Sequence, residues 1–259
     1  MKDQVHHSAA AGYKTAADTY VKGRPDYPPQ VSQWLTQTLG LDSHKTVIDL
    51  GAGTGKFTGR LVATGAQVIA VEPVAQMLEK LSAAWPDVLA VSGTATDLPL
   101  PDASVDVVVC AQAFHWFATT ESLSEIARVL KPGGKLGLIW NLRDTQVSWV
   151  PKLDAIVNAL EGDTPRYYTG QWRQTFPHPA FGPLQLQLQQ FHHGHTGSPE
   201  DVIFNRVRST SFIAALPQAQ RDKVDEQIRA LIASEPALRG RHVLTVPYET
   251  AAYVAVKGG

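Results

Sequence analysis

The stretch TVIDLGAGTGKFTGRL, residues 46–61, joins an apolar run, three closely spaced glycines and the start of a helical pattern. Residues 46–50 are rich in β-branched side chains and end at a glycine, which predicts a buried strand. Glycines occupy alternate positions over residues 51–55, and apolar residues then recur at helical spacing. A strand, a glycine-rich turn and a helix N-terminus together let a ligand approach the bare backbone.

Three classes of ligand use such a turn, and the sequence departs from two of them. A dinucleotide site needs G-x-G-x-x-G, but the last position, counted from Gly51, holds Lys56. A nucleoside-triphosphate loop needs G-x-x-x-x-G-K-[ST], but Gly51 is one residue too close to Gly55, and Phe57 replaces the hydroxyl. The remaining pattern, D-x-G-x-G-x-G, begins at Asp49. At this point a turn with a purely structural role remains an alternative interpretation.

The whole chain has the composition of an ordinary globular protein. It has 259 residues, of which 44% are hydrophobic and 18% charged, and its net charge is −1. This charge gives no electrostatic reason to expect a nucleic acid or an anionic membrane as partner. The single cysteine, Cys110, excludes a disulfide within the chain. Because neither a signal peptide nor a run of ~18 apolar residues is found, we expect a cytoplasmic protein without a transmembrane helix.

Strands and helices alternate after the glycine turn. Apolar runs at residues 67–71, 88–91, 105–111 and 135–140 predict further strands, and helical spacing lies between them, first over residues 56–64. Strands without alternation are typical of a parallel sheet that helices cover on both faces.

The pattern changes after residue 144. Leucines alternate with glutamines over residues 184–188, and residues 242–256 contain a second alternating segment. Alternation predicts half-buried antiparallel strands. We therefore expect an antiparallel hairpin at the edge of the sheet, with helices inserted at its tip.

An acidic residue, Glu72, follows the second predicted strand, 21 residues after Gly51. At a strand end its carboxylate can accept hydrogen bonds from both ribose hydroxyls. This position favours a ligand that contains adenosine, but it does not distinguish one such cofactor from another.

Several motifs in order over residues 31–144 resemble the class I methyltransferases that use S-adenosylmethionine (SAM), and the type 11 group in particular. They are the D-x-G-x-G-x-G turn, Glu72, the turn DLPLPDAS and the segments QAFHWF and RVLKPGGKLGLIWNLRD. The lead-in around Tyr20 and Arg24, with QAFHWF and WNLRD, is similar to trans-aconitate methyltransferase-like proteins.

The resemblance implies an α/β, Rossmann-like methyltransferase fold. Its mostly parallel seven-stranded sheet would carry an antiparallel C-terminal hairpin and a helical cap insertion. Within a single overall domain, residues 1–30 would form an N-terminal lid segment, or alternatively a segment that only packs its aromatic side chains on the core, and residues 31–144 the SAM-binding core. Residues 145–259 would complete the sheet and carry the cap.

The resemblance also implies two sets of site residues. The cofactor set is Tyr20, Arg24, Asp49, Gly51, Ala52, Gly53, Gly55, Glu72, Pro73, Met77, Thr94, Ala95, Gln112 and Ala113. The register departs from the family at Thr94, where an acidic residue would read adenine and a hydroxyl can accept only without charge. The substrate set is His115, Trp116, Asn141 and Arg143; the residue types of the cap, not the resemblance, add Arg166 and Ser209. Guanidinium groups suit bidentate pairing with a carboxylate.

The implied reaction moves a methyl group from SAM to a small-molecule acceptor, with a carboxylate or a hydroxyl as the expected acceptor group. His115 is the candidate general base, since the unperturbed histidine pKa is near ~6.5; alternatively, it only hydrogen-bonds the substrate. A carboxylate acceptor would need no base. The alternatives are an NAD(P)-dependent oxidoreductase and a non-catalytic SAM-binding protein on the same fold. We expect a monomer or a homodimer.

A metal site is not expected. His192, His193 and His195 are close together, but in a strand only the last two share a face. The nearest acidic residue after them is Glu200.

Overall fold

A single sheet organises the protein. The computed structural model describes residues 23–181 and 187–258, and within them seven strands form this sheet. The strands are β1 (Thr46–Leu50), β2 (Gln67–Val71), β3 (Leu89–Val91), β4 (Val105–Ala111), β5 (Leu130–Arg143), β6 (Gln187–Gly197) and β7 (Leu244–Val256).

Helices connect these strands and form the cap. They are α1 (Gln30–Gln33), α2 (Thr58–Val62), α3 (Ala75–Ala84), α4 (Thr120–Val129), α5 (Val150–Asn158), α6 (Asn205–Arg208), α7 (Ser211–Ala214) and α8 (Gln218–Ser234). Two π-helical turns, Trp34–Thr38 and Glu200–Phe204, continue α1 and precede α6. Short 3-10 turns lie at Phe114–Trp116, Tyr167–Thr169, Gln171–Thr175 and Pro179–Phe181.

The strand order is β3-β2-β1-β4-β5-β7-β6. The first five strands of this order are parallel, whereas β7 pairs antiparallel with both β5 and β6. The predicted α/β fold with an antiparallel C-terminal hairpin is therefore confirmed. Because β1 lies between β2 and β4, the connections after β1 and β4 leave in opposite directions and open a crevice at the carboxyl ends of these strands.

Several predicted boundaries shift. The predicted helix over residues 56–64 is shorter, since left-handed glycines and turns occupy the chain before Thr58–Val62. The strand predicted at residues 135–140 begins already at Leu130, because residues 131–134 protrude while the pairing with β4 continues on either side. Of the strand predicted over residues 184–188, only its end lies within the described residues, in β6.

The cap has an apolar core of its own. Trp149, Leu153, Ile203, Ile228 and Leu231 pack together, from α5, the π-helical turn and α8. This cluster also includes buried residues at the start of β7. The insertion between β6 and β7 is thus anchored to the tip of the hairpin that carries it. The division into lid, core and cap stays a prediction. In the described part of the chain, no helix has the length and hydropathy needed to cross a membrane.

Candidate active site

The glycine turn after β1 packs closely against the segment that follows β4. Gly51 has a φ of 71°, in the left-handed region that favours glycine. A Cβ added there would lie 2.8 Å from the Cβ of Ala113. Gly53 is also left-handed, and the Met77 sulfur lies below it. The sequence therefore needs glycine here for backbone shape and for close approach.

Glu72 fastens this turn to the end of β2. Its Oε2 accepts a hydrogen bond from the Gly53 N–H at 2.9 Å, and its Oε1 accepts one from the Val74 N–H at 2.9 Å. The side chain is buried, and burial raises the pKa of Glu72 although both hydrogen bonds oppose this shift. Both carboxylate oxygens thus accept from the backbone, and each keeps a further lone pair.

Asp49 lies below the turn, fully buried at the end of β1. Its Oδ2 accepts a hydrogen bond from the Thr58 hydroxyl at 2.7 Å, whereas its buried Oδ1 has no partner. Burial, and to a smaller extent the nearby Glu72, raises the pKa of Asp49 to about 7, although the Thr58 hydrogen bond opposes this shift. A buried acceptor without a donor is rare in folded proteins and points to a ligand group.

Two cavities meet at the carboxyl edge of the sheet. One lies against Asp49, Gly51 and Ala52 of the glycine turn, and it also contacts Lys56. The other has a volume of about 720 Å³ and extends from the end of β4 to the cap. Four residues line both cavities: Arg24, Gln112, Asn141 and Arg206. We call these four residues the shared wall.

Gln112 reaches the shared wall through an unusual backbone conformation. Its φ is 62°, a value that residues other than glycine rarely adopt. The Gln112 N–H still donates to the Ile139 carbonyl at 2.8 Å, so the strand pairing continues up to this residue. Strain of this kind is concentrated at functional sites.

The larger cavity brings together most of the predicted substrate residues. His115, Trp116, Asn141, Arg143 and Arg166 all line it. Ser209 is not among the residues that line this cavity. That residue is fully buried, and its hydroxyl donates to the Arg206 carbonyl.

Sequence reasoning missed Arg206, which lies three residues before Ser209 on the cap. It belongs to α6, directly after the π-helical turn Glu200–Phe204. Thr210 and Ser211, which follow Ser209 in the sequence, also line the larger cavity. A segment rich in arginine and hydroxyl side chains, RVRST, was the available signal.

His115 is held as a hydrogen-bond donor. Its Nδ1 lies 3.1 Å from the Trp140 indole nitrogen, which can only donate. Nδ1 must therefore accept, and in the neutral ring the proton is on Nε2. Burial, together with the nearby Arg166 and Arg24, lowers the pKa of His115 to about 3. These observations favour a donor role over the predicted base role.

Positive charge collects around the larger cavity. Arg143 forms an ion pair with Asp154 at 2.5 Å, and Arg166 lies 3.7 Å from Glu161. Within the described residues, Arg206 has no carboxylate at ion-pair distance, and its buried Nε has no hydrogen-bond partner. Burial, together with Arg24, lowers the pKa of Arg206 to about 9. A partly buried cation without a counterion indicates an anionic ligand.

Other predicted residues lie near the turn or outside the described residues. Ala95 is buried in the core, and the Thr94 hydroxyl lies 3.3 Å from that of Thr96. Pro73 directly follows Glu72, and Tyr20 lies outside the described residues. No cluster of three metal-binding side chains occurs in residues 23–181 and 187–258.

Comparisons with known proteins identify the family of this chain. The type 11 methyltransferase domain family matches residues 48–138. An uncharacterised methyltransferase-like protein of Schizosaccharomyces pombe is 37% identical over 246 residues, 95% of each chain. An uncharacterised methyltransferase of Mycobacterium tuberculosis is 40% identical over 238 residues, 92% of each chain.

The fold has solved counterparts. A putative type II methyltransferase from Anaeromyxobacter dehalogenans superposes with a TM-score of 0.60 at 22% identity. The match covers 91% of this chain and 97% of the other. The similarity to trans-aconitate methyltransferase-like proteins stays a prediction.

Proposed function

This chain belongs to the class I SAM-dependent methyltransferases, and we propose that it methylates a carboxylate oxygen of a small organic acid. One observation carries the proposal. The larger cavity presents a neutral histidine that donates and an arginine without a counterion, His115 and Arg206. Both groups suit a carboxylate.

The residues present fit SAM at the glycine turn. The unpartnered Oδ1 of Asp49 offers an acceptor for the ammonium group, and Gly51 leaves the backbone open to the ligand. Glu72 would accept from the ribose hydroxyls, and Arg24 of the shared wall would hold the carboxylate of the methionyl group. When bound, SAM supplies an electrophilic methyl group on a positively charged sulfur.

A carboxylate acceptor fits a site without a suitable base. A hydroxyl must lose its proton when the methyl is transferred, and a group with a pKa of about 3 is a weak proton acceptor at neutral pH. A carboxylate is already ionised and attacks directly. In this scheme His115 donates from Nε2 to the carboxylate and orients it, and Arg206 balances its charge. Much of the rate would come from alignment of the two reactants.

The direct test is methyl-ester formation. The protein would be incubated with SAM and a panel of small carboxylic acids, matched alcohols and phenols. We expect esters, which alkali cleaves to release methanol, from at least one acid and no ether from the alcohols or phenols. Transfer to phenols or alcohols alone would contradict the proposal.

The role of His115 can be tested with two variants. Glutamine can place a side-chain N–H near the position of Nε2, whereas phenylalanine cannot donate. We expect H115Q to retain kcat within about tenfold and H115F to lose about 100-fold, since a hydrogen bond to a charged group is lost. The kcat of the wild type should show no step near pH ~6.5. A base role instead predicts equal losses in both variants and such a step.

The raised pKa of Asp49 predicts that SAM binding depends on pH. The ammonium group of SAM favours the ionised carboxylate, which is about half populated in the free protein near pH 7. The affinity should therefore fall as pH decreases, by about five- to tenfold from pH 7.5 to pH 6.0. Calorimetric titrations across this range measure the change. D49N should bind more weakly and show a flat profile; a flat profile in the wild type would rule out this linkage.

A further inference from the structure

Asn141 ends a chain of hydrogen bonds that crosses three strands. It lies near the end of β5, is 7% exposed and belongs to the shared wall. Its cross-strand partner on β7 is Thr250, which is fully buried. The Thr250 hydroxyl lies 2.5 Å from the Asn141 Oδ1 and 3.0 Å from Nε2 of His193 on β6. The site is thus connected to the edge of the sheet.

A backbone carbonyl determines the direction of every bond in this chain. The Asn141 Nδ2 lies 3.3 Å from the carbonyl oxygen of Asp26, which can only accept. If the amide were rotated, two acceptors would face each other, so Nδ2 lies on this side and Oδ1 faces Thr250. The single Thr250 proton must then go to Oδ1. Nε2 of His193 must therefore carry a proton and donate it to Thr250.

The consequence lies at the shared wall. Asn141 uses one amide proton on the Asp26 carbonyl, and its second amide proton has no partner within the described residues. Because Oδ1 faces Thr250 and accepts from it, the group that the side chain can offer the shared wall as a donor is this second N–H. A donor of fixed direction, next to Arg24 and Arg206, suits a carboxylate.

We propose that Thr250 and His193 are positioning residues that hold Asn141 as a donor to a ligand carboxylate at the shared wall. The inference rests on the proposed function, because both ligands then bring a carboxylate here. One is the methionyl carboxylate of SAM, and the other belongs to the acceptor acid. His193 is further held by stacking on Tyr248, with ring centroids 5.7 Å apart. Neither residue needs to touch a ligand.

The first test reads the His193 tautomer and needs no turnover. Nitrogen-15 shifts of the imidazoles, assigned with a His193→Gln variant, should show Nε2 protonated and Nδ1 bare in the wild type near neutral pH. Burial lowers the pKa of His193, which favours the neutral ring there. A ring protonated on Nδ1 alone would reverse the chain and overturn the inference.

The second test compares Thr250→Val, which removes the hydroxyl at similar volume, with Thr250→Ser, which keeps it. Thr245→Val is the matched control, since Thr245 is an exposed residue of the same strand that pairs with Thr196. In T250V we expect either an about tenfold lower affinity for SAM or an about tenfold higher KM for the acceptor, with little change in the other quantity. T250S and T245V should remain within about twofold of the wild type.

The two measurements, SAM affinity and acceptor KM, identify which ligand brings the carboxylate. They also distinguish a failure of this inference from a failure of the proposed function. A loss of SAM affinity, measured by calorimetry, assigns the Asn141 donor to SAM. A raised KM for the acid that the panel selects assigns it to the acceptor. Failure of every acid to form an ester, with SAM affinity lowered in T250V, would overturn the proposed function alone. The inference would be overturned if T250V is folded and binds SAM with unchanged affinity, and if either its acceptor KM is also unchanged or no acid is methylated.

Discussion

Arg206→Met is expected to lower kcat/KM for the acceptor acid by about 100-fold, since truncation removes one partner of a largely desolvated charge pair. The Arg206 guanidinium lines the larger cavity and donates from Nη1 to the Thr210 hydroxyl at 3.2 Å. Its buried Nε has no hydrogen-bond partner. The ligand-free protein thus holds a charge that only an anion can balance. Steady-state kinetics with the acid that the panel selects would measure the loss.

The thermal stability of R206M should not fall with its activity. The pKa of Arg206 is lowered to about 9 in the folded protein, so below that pH its charge disfavours the folded state. R206M should therefore melt at the same temperature as the wild type or higher, as is common where stability is exchanged for function. R206K keeps the charge but lacks the planar fork, and we expect about a tenfold loss in kcat/KM.

Arg208→Met is the matched control for this substitution. Arg208 lies on the same short helix, pairs with Asp225 at 2.5 Å and also contacts Glu200, and it lines neither cavity. Its loss should reduce stability slightly and leave the acceptor KM unchanged. Equal kinetic losses in R206M and R208M would indicate a general disturbance of the cap and would contradict a role for Arg206 in anion binding.

The parts of the site that could be predicted are those that strand ends define. Asp49, Gly51, Glu72 and Gln112 each follow an apolar run, and parallel strands bring their carboxyl ends to one edge. Their positions therefore follow from local patterns and a general rule of topology. The departure at Thr94 was equally visible, because it too depends on local register.

Other features depend on packing between distant segments. The contact of Thr250 with Asn141 joins residues that are 109 positions apart, through the register of a β7 strand whose bounds the sequence leaves open. The position of Arg206 at the larger cavity depends on how α6 packs against distant segments, and the RVRST segment alone does not show which of its side chains points there. The donor state of His115 depends on burial and on the indole of Trp140, and neither appears in the QAFHWF motif itself.

Glu72→Gln is expected to lower SAM affinity by about 100-fold, through two effects that add. The amide keeps one acceptor but turns an N–H toward one of the two backbone donors, Gly53 or Val74, so the turn loses a hydrogen bond. It also loses the charge that strengthens hydrogen bonds from the ribose hydroxyls, each worth about tenfold or more. Glu79→Gln, an exposed acid on the next helix, is the matched control and should bind SAM normally.

The two effects can be separated because only one of them involves the ribose. S-adenosylhomocysteine and its analogue without the 2′-hydroxyl would be titrated into the wild type and E72Q by calorimetry. If Glu72 binds the ribose, the substitution should weaken the full ligand by about tenfold more than the analogue. If Glu72 only holds the turn, both ligands should weaken equally, and the melting temperature of the ligand-free variant should fall. Because the carboxylate fastens the turn and, in the proposed function, also binds the ribose, we expect the melting temperature to fall by a few degrees and the two affinities still to diverge.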